Sequence, residues 1–346
     1  MTPQTSEPVA VLGSGTWGLS LACLLHNKGV QVTAWDAFPE YIEELKKESK
    51  HPKLPHLKIP QDLPLTCRME ELTECRTFVL TVASHAMRTV CEQFRALNLE
   101  LWDRTIVICT KGLEEQSLRP MADVVLETLG ANLEDRLVVL SGPSHAEEVS
   151  RNLPTTVVAA SADHSTAIAV QELFTTPTFR VYTHDDVLGV ELGGSLKNII
   201  AIAAGICDGL GFGDNSRAAL ITRGLVEMTR LGMAMGARED TFSGLAGMGD
   251  LIVTAGSHHS RNRNFGEKIA SGLSMEQAQR EIGMVVEGIR TCACAVQLAE
   301  KYNVDMPITS EVNAMLFKGK DPRKAVRDLM EREPKPESER LRQNAS

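Results

Sequence analysis

Gly13, Gly15 and Gly18 stand in the order G-x-G-x-x-G directly after the apolar run Val9-Ala10-Val11-Leu12. That spacing suits a phosphate site. Gly13 can take a φ that no side chain tolerates, Gly15 lets the backbone approach a pyrophosphate, and Gly18 lets a helix pack closely on a strand. Thr16 and Trp17 lie inside the turn, and the amphipathic segment that follows would point unpaired N–H groups and a partial positive charge at the anion. Asp36 ends the next β-rich run, about 20 residues on, where an acid can hold a ribose hydroxyl of a dinucleotide. A glycine turn serving packing alone would not need that acid in register.

Other residues suit proton transfer and anion binding. Lys197 precedes the apolar run Ile199-Ile200-Ala201-Ile202-Ala203-Ala204. Buried in a core helix it would be desolvated, its pKa would fall, and it could exchange a proton near neutrality; at an exposed helix start it would merely reach for water. Lys111 follows a strand-like run and precedes Gly112, which suits contact with a ligand anion, the alternative being a solvated loop charge. Ser144, with Glu147 three residues on, has the spacing of a capping box. Asp250 ends a glycine-rich turn over 242–251, and the polar run 257–264 holds Ser260, Arg261 and Asn262. An arginine fork with amide and hydroxyl neighbours makes a good phosphate clamp, unless the run is a plain solvated loop. His258-His259 and Cys292-Ala293-Cys294 lack metal-site spacing, so no metal is expected.

The elements that must position these residues alternate at first. Strand-like runs at 77–82, 105–109, 137–140, 155–160 and 179–182 are separated by helical patterns near 85–97, 118–129 and 164–174. Residues 39–50 read as a charged helix, and the prolines from 52 to 64 read as a loop. From about residue 186 the strand signals stop. The expected fold is α/β: an N-terminal Rossmann-like doubly wound parallel sheet over 1–185, then an all-α C-terminal domain over 186–333. Residues 334–346 read as a charged, mobile tail. Ligands bind outside the C-terminal ends of such strands, which selects the loops carrying Ser84, Lys111 and Ser144.

Composition narrows the partners. A net charge of −9 over 346 residues argues against a nucleic-acid surface, since such surfaces carry broad basic patches. Eight cysteines without a CxxC pair read as buried thiols in a reducing compartment. The run 198–207 is too short to span a bilayer and residues 1–8 lack an apolar signal core, so a cytoplasmic protein without membrane insertion is expected. The oligomeric state stays open, a homodimer included.

An ordered series of motifs resembles the bacterial-type NAD(P)-dependent glycerol-3-phosphate dehydrogenases over nearly the whole chain. They are Gly13-Ser-Gly-Thr-Trp-Gly18, Thr110-Lys-Gly-Leu-Glu114, Ser141-Gly-Pro-Ser-His-Ala-Glu-Glu-Val149, Glu191-Leu-Gly-Gly-Ser-Leu-Lys-Asn198, Gly247-Met-Gly-Asp-Leu251, Ser260-Arg-Asn-Arg263 and Val285-Val-Glu-Gly288. The resemblance implies Lys197 as proton donor and acceptor, with Lys111, Gly142, Ser144, Asp250, Ser260, Arg261 and Asn262 around the substrate. It implies Thr16, Trp17, Lys111, Ala146, Arg261, Val285 and Glu287 around NAD or NADP. It also implies that the product supplies the glycerol phosphate of phospholipids. The chain departs from the family pattern at His145, where an aromatic is usual, and at Ala37-Phe38, where many members carry a basic residue; with Asp36, the second departure favours NAD. Two rivals are a lysine-dependent β-hydroxy-acid dehydrogenase and a non-catalytic dinucleotide sensor, which would not need Lys197 or the Arg261 clamp.

Overall fold

The computed structural model describes residues 7–334, 336 and 337. Most of the expected tail lies outside them. Strands β1 (Val9–Leu12), β2 (Val32–Trp35), β3 (Lys50–His51), β4 (Leu54–Lys58) and β5 (Leu65–Thr66) come first, followed by β6 (Thr77–Leu80) and β7 (Thr105–Ile108). The last three are β8 (Leu137–Ser141), β9 (Thr155–Ala160) and β10 (Phe179–His184). Eight of them form one sheet in the order β10-β9-β8-β7-β6-β1-β2-β5.

The pairs from β5 across to β8 are parallel, whereas β8 and β9 pair antiparallel. The sheet is therefore mostly parallel, with β9 and β10 running the other way. Chain order reverses between β1 and β6, and a crevice opens at such a switch point, outside the strands' carboxyl ends. Buried aliphatic side chains on both faces of these strands, such as Val11, Val79 and Val107 on one and Leu12, Leu80 and Ile108 on the other, explain why the strand runs lack polar alternation.

The proline-rich stretch expected as a loop instead holds the antiparallel pair β3–β4. A two-stranded ribbon leaves one edge of each strand free, so Pro55 inside β4 forfeits no ladder bond.

The glycine turn is shaped by contact as well as by φ. Gly13 has φ +107°, and a Cβ on Gly18 would stand 1.8 Å from the Gly13 carbonyl oxygen. Either substitution would force helix Thr16–Asn27 away from β1.

Past β10 the structure is helical. Helix Val187–Gly209 starts at Asp186, whose side chain accepts the Gly189 N–H, and residues 189–207 are buried. It has the length and apolar character of a membrane span, yet most of it is enclosed by the rest of the protein. Its small residues admit a neighbour. A Cβ on Gly205 would lie 1.8 Å from the Arg263 oxygen, and one on Gly266 would lie 2.1 Å from the Ile202 oxygen. Helix Arg261–Ala270 is thereby brought against helix Val187–Gly209, with its first residues facing the crevice.

Candidate active site

A cleft of about 370 Å³ lies between the strand ends and the helical domain. One wall is Gly15, Thr16 and Trp17 with Thr81, Val82 and Ala83; a second is Lys111 with Ser144, His145 and Ala146. Lys197, Asn198, Thr254, His259, Ser260, Arg261 and Asn262 close it from the helical side, joined by Val285 and Glu287. Residues far apart in sequence thus share one cavity.

At its floor two ammonium groups share one carboxylate. Lys197 Nζ donates to Asp250 Oδ1 at 2.5 Å and to Thr254 Oγ1 at 2.6 Å, and Lys111 Nζ donates to Asp250 Oδ2 at 2.5 Å. Lys197 is 6% exposed and Asp250 1%. Burial disfavours the charged lysine, and nearby Lys111 and Arg261 add to that; Asp250 works against it, and the Lys197 pKa settles at about 7. Burial would raise the Asp250 pKa, but the two ammonium groups outweigh it and hold the carboxyl below its ordinary value. The arrangement keeps a proton exchangeable at Nζ near neutral pH.

Asp250 does not line the cleft; both its oxygens are taken by lysines. It stands behind Lys197, which it holds by an ion pair. Gly142 also lies behind the wall, where its carbonyl accepts Lys111 Nζ at 3.0 Å and Ser144 Oγ at 2.9 Å. Ser144 does not cap the next helix. Helix Ala146–Val149 begins one residue too late for that, with His145 at the cap position.

The polar run 257–264 is a short turn that leads into a helix at Arg261, and is not a plain solvated loop. Ser260 caps helix Arg261–Ala270, accepting the Arg263 N–H at 3.2 Å. The N–H groups of Arg261 and Asn262, first in that helix, have no intrahelical acceptor. The Asn262 side chain is committed elsewhere: Nδ2 donates to Asn198 Oδ1 and Oδ1 accepts the Gly288 N–H, each at 2.9 Å. Arg261 Nη1 donates to the Val285 carbonyl at 3.0 Å. Glu287 spans the cleft, accepting the Ser84 N–H at 3.0 Å and the Ser84 hydroxyl at 2.5 Å.

The glycine turn meets the requirements of a dinucleotide. A Cβ on Gly15 would point into open space, and helix Thr16–Asn27 starts with no side-chain cap and no acid in its first turn. An anion can therefore approach its N–H groups unopposed. Asp36 lies at the end of β2, outside the cleft wall, where Oδ2 accepts the Ser14 N–H at 2.9 Å. Gly13 and Gly18 shape the turn without lining the cleft.

Thr254 is not among the residues the sequence marks, and Ser84 and Asn198 appear there only within a loop and a motif, without a role of their own. Thr254 carried a readable signal: it lies four residues after Asp250 on helix Asp250–Gly256, and such a spacing places both side chains on one face.

Two family models, the N-terminus and C-terminus of NAD-dependent glycerol-3-phosphate dehydrogenase, match residues 8–167 and 186–327. A glycerol-3-phosphate dehydrogenase (NAD(P)+) of Pelotomaculum thermopropionicum is 50% identical over 330 residues, 94% of each chain. One from Carboxydothermus hydrogenoformans is 49% identical, covering 96% of this chain and 98% of the other. A crystal structure of glycerol-3-phosphate dehydrogenase from Coxiella burnetii superposes with a TM-score of 0.90 at 39% identity, covering 95% of this chain and all of that one. With both halves matched and nearly the full length aligned, the chain belongs to the NAD-dependent glycerol-3-phosphate dehydrogenase family.

Proposed function

We propose that this enzyme interconverts sn-glycerol 3-phosphate and dihydroxyacetone phosphate, supplying glycerol phosphate for phospholipid synthesis, with Lys197 as its acid and base. The observation that carries the reading is the buried Lys197–Asp250–Lys111 network at the floor of a cleft that has a dinucleotide turn on one wall and an arginine-bearing helix start on another. When bound, NAD or NADP supplies the hydride acceptor or donor for the substrate's central carbon. Gly15, Thr16 and Trp17 would hold its pyrophosphate, and Ala146, Val285 and Glu287 border the same space. During ketone reduction Lys197 gives a proton to the carbonyl oxygen, and during alcohol oxidation it takes one back. Asp250 holds Lys197 in place, while Lys111 and Ser144 flank the substrate. Arg261 grips the phosphate with its guanidinium, aided by Ser260 and the first N–H groups of its helix.

The working units of this reading are residues 1–185 for the cofactor and 186–333 for the substrate. Cytoplasmic action is supported by the eight cysteines, all free thiols. We carry a homodimer forward as the assembly that a solution-mass measurement tests. For activity, loss of nicotinamide absorbance on adding dihydroxyacetone phosphate is the expected result. Turnover only with a keto acid, or cofactor binding without turnover, would replace it with one of the rival readings.

Arg261→Ala should impair use of the phosphorylated ketone at least tenfold more than use of dihydroxyacetone, because a hydrogen bond to a charged group is worth roughly 1.5–3 kcal/mol. Equal losses for the two ketones, measured as kcat/KM, would argue against a phosphate contact.

Asp36 supports a preference for NADH. A 2'-phosphate at the end of β2 would lie near its carboxylate, and Lys53, the basic residue at the tip of the β3–β4 ribbon, spends its ammonium on the Gly283 carbonyl at 2.9 Å. Such like-charge proximity costs about 1–2 kcal/mol, near tenfold in kcat/KM. Asp36→Ala should narrow the NADH:NADPH ratio. A parent enzyme that prefers NADPH, or a ratio untouched by the substitution, removes Asp36 as the selector.

A further inference from the structure

The tandem His258-His259 holds no metal role in the reading above; the two rings lie 4.8 Å apart with planes tilted by 50°, yet they differ in exposure. His258 is exposed, whereas His259 is half-buried and lines the cleft beside Ser260, Arg261 and Thr254. Its loop is pinned on both sides: the His259 N–H donates to Ser257 Oγ at 3.1 Å, and Asn264 Nδ2 donates to the His258 carbonyl at 2.8 Å. Across the cleft from the helical domain, His145 meets it with ring centroids 6.1 Å apart and planes 63° apart. His145 comes from the β8 loop of the other domain, so the ring pair bridges the two domains where the phosphate clamp sits.

We propose that His259 is a further phosphate-binding residue of this enzyme, donating an imidazole N–H to the substrate's phosphate, and that His145 is the positioning residue that holds its ring toward the clamp. The proposal rests on the glycerol phosphate reading. An imidazole suits the place because it carries at least one N–H in either charge state. It also stands next to the residues whose free N–H groups and guanidinium already form an anion site. His145 is suited to a packing role. Burial, reinforced by the Lys197 charge, lowers its pKa to about 4, and its Nε2 is enclosed without a hydrogen-bond partner. It is therefore neutral at physiological pH and adds no repulsion against a neighbouring imidazole, while its ring restricts the rotamers open to His259. A pre-oriented donor loses little entropy on binding, which is how a single side chain gains affinity.

The test uses the full-length protein with three probes: dihydroxyacetone phosphate, dihydroxyacetone and inorganic phosphate. His259→Phe, which keeps an aromatic ring and removes the donor, should raise KM for the phosphorylated ketone roughly tenfold with kcat less affected, since a hydrogen bond to a charged group is lost. The Kd for inorganic phosphate, measured by calorimetry, should rise by a similar factor, and use of dihydroxyacetone should change by no more than about twofold. His259→Asn, which retains an N–H donor, should recover part of the phosphate affinity. His145→Phe should leave phosphate binding near that of the parent because ring packing persists, whereas His145→Ala should weaken it. Equal losses with both ketones, or an unchanged phosphate Kd in His259→Phe, would overturn the role of His259. An unchanged Kd in His145→Ala would overturn the positioning role. A parent that binds phosphate through His259 but reduces neither ketone would instead sink the glycerol phosphate reading and leave the anion contact standing.

Discussion

Lys197→Ala is expected to lower kcat for dihydroxyacetone phosphate reduction by ~10²–10⁴, the usual contribution of one positioned acid or base. NADH affinity should hardly change, because the ammonium group is engaged with Asp250 and Thr254 at the cleft floor and not with the glycine turn. Lys197→Arg should not restore turnover, since a guanidinium cannot release a proton near neutrality. The pH dependence has a definite sign. Reduction needs protonated Lys197, so its rate should fall as pH rises through about 7, and oxidation needs the neutral amine, so its rate should rise through the same region. Both limbs should vanish in Lys197→Ala. Near-normal turnover in either variant, or pH limbs that survive the loss of the lysine, would remove Lys197 from the chemistry.

The second large effect belongs to Asp250, through the lysines it pairs. Asp250→Asn keeps the size of the side chain but leaves Lys111 and Lys197 facing each other without an intervening carboxylate. Asp250 is the group that favours the charged form of Lys197, while burial and Lys111 oppose it. Its loss should therefore move the falling limb of the reduction profile to lower pH by about one unit or more. At neutral pH the supply of protonated acid shrinks, and kcat/KM should drop by ~10² once misplacement of the amine is added. Breaking one partner of a buried ion pair also costs about 3–5 kcal/mol of stability, so the urea midpoint should fall too. A stability loss with an unmoved pH limb would mean that Asp250 only supports the fold. A shifted limb shows that it sets the protonation of Lys197.

Much of this was legible in the chain because it depends on local chemistry. The glycine turn, the strand before it and the acid after it are a contiguous unit whose spacing reflects backbone sterics, so the turn's place after β1 and that of Asp36 at the end of β2 could be read directly. The change from alternating strands to helices near residue 186 and the conspicuous lysine in an apolar helix are likewise properties of composition along the chain. The polar run 257–264 was recognisable by residue type, though the helix it leads into was not: a polar run carries little apolar periodicity, and the close approaches at Gly205 and Gly266 that help dock that helix against its neighbour exist only in the folded chain.

What the tertiary structure alone decided are matters of direction and partnership. Neighbouring strands can pair either way with the same buried side chains, so the antiparallel entry of β9 was not readable from the strand patterns. The turn before Asp250 is a wide helical turn over Leu245–Gly249, closed by the Gly249 N–H on the Gly244 carbonyl, and a glycine-rich run shows no period that announces it. The oxygens of Asp250 accept from two lysines, one 139 residues before it and the other 53, a pairing that no local pattern in the sequence announces. Burial, with Lys111 and Arg261 nearby, lowers the Lys197 pKa while pairing with Asp250 opposes the fall, and all of these arise only where the helical domain closes over the strand ends. The sequence by itself determined which titratable and polar residue types the chain offers; their protonation, and whether each lines the cleft or stands behind another residue, came from packing between segments that no local pattern relates.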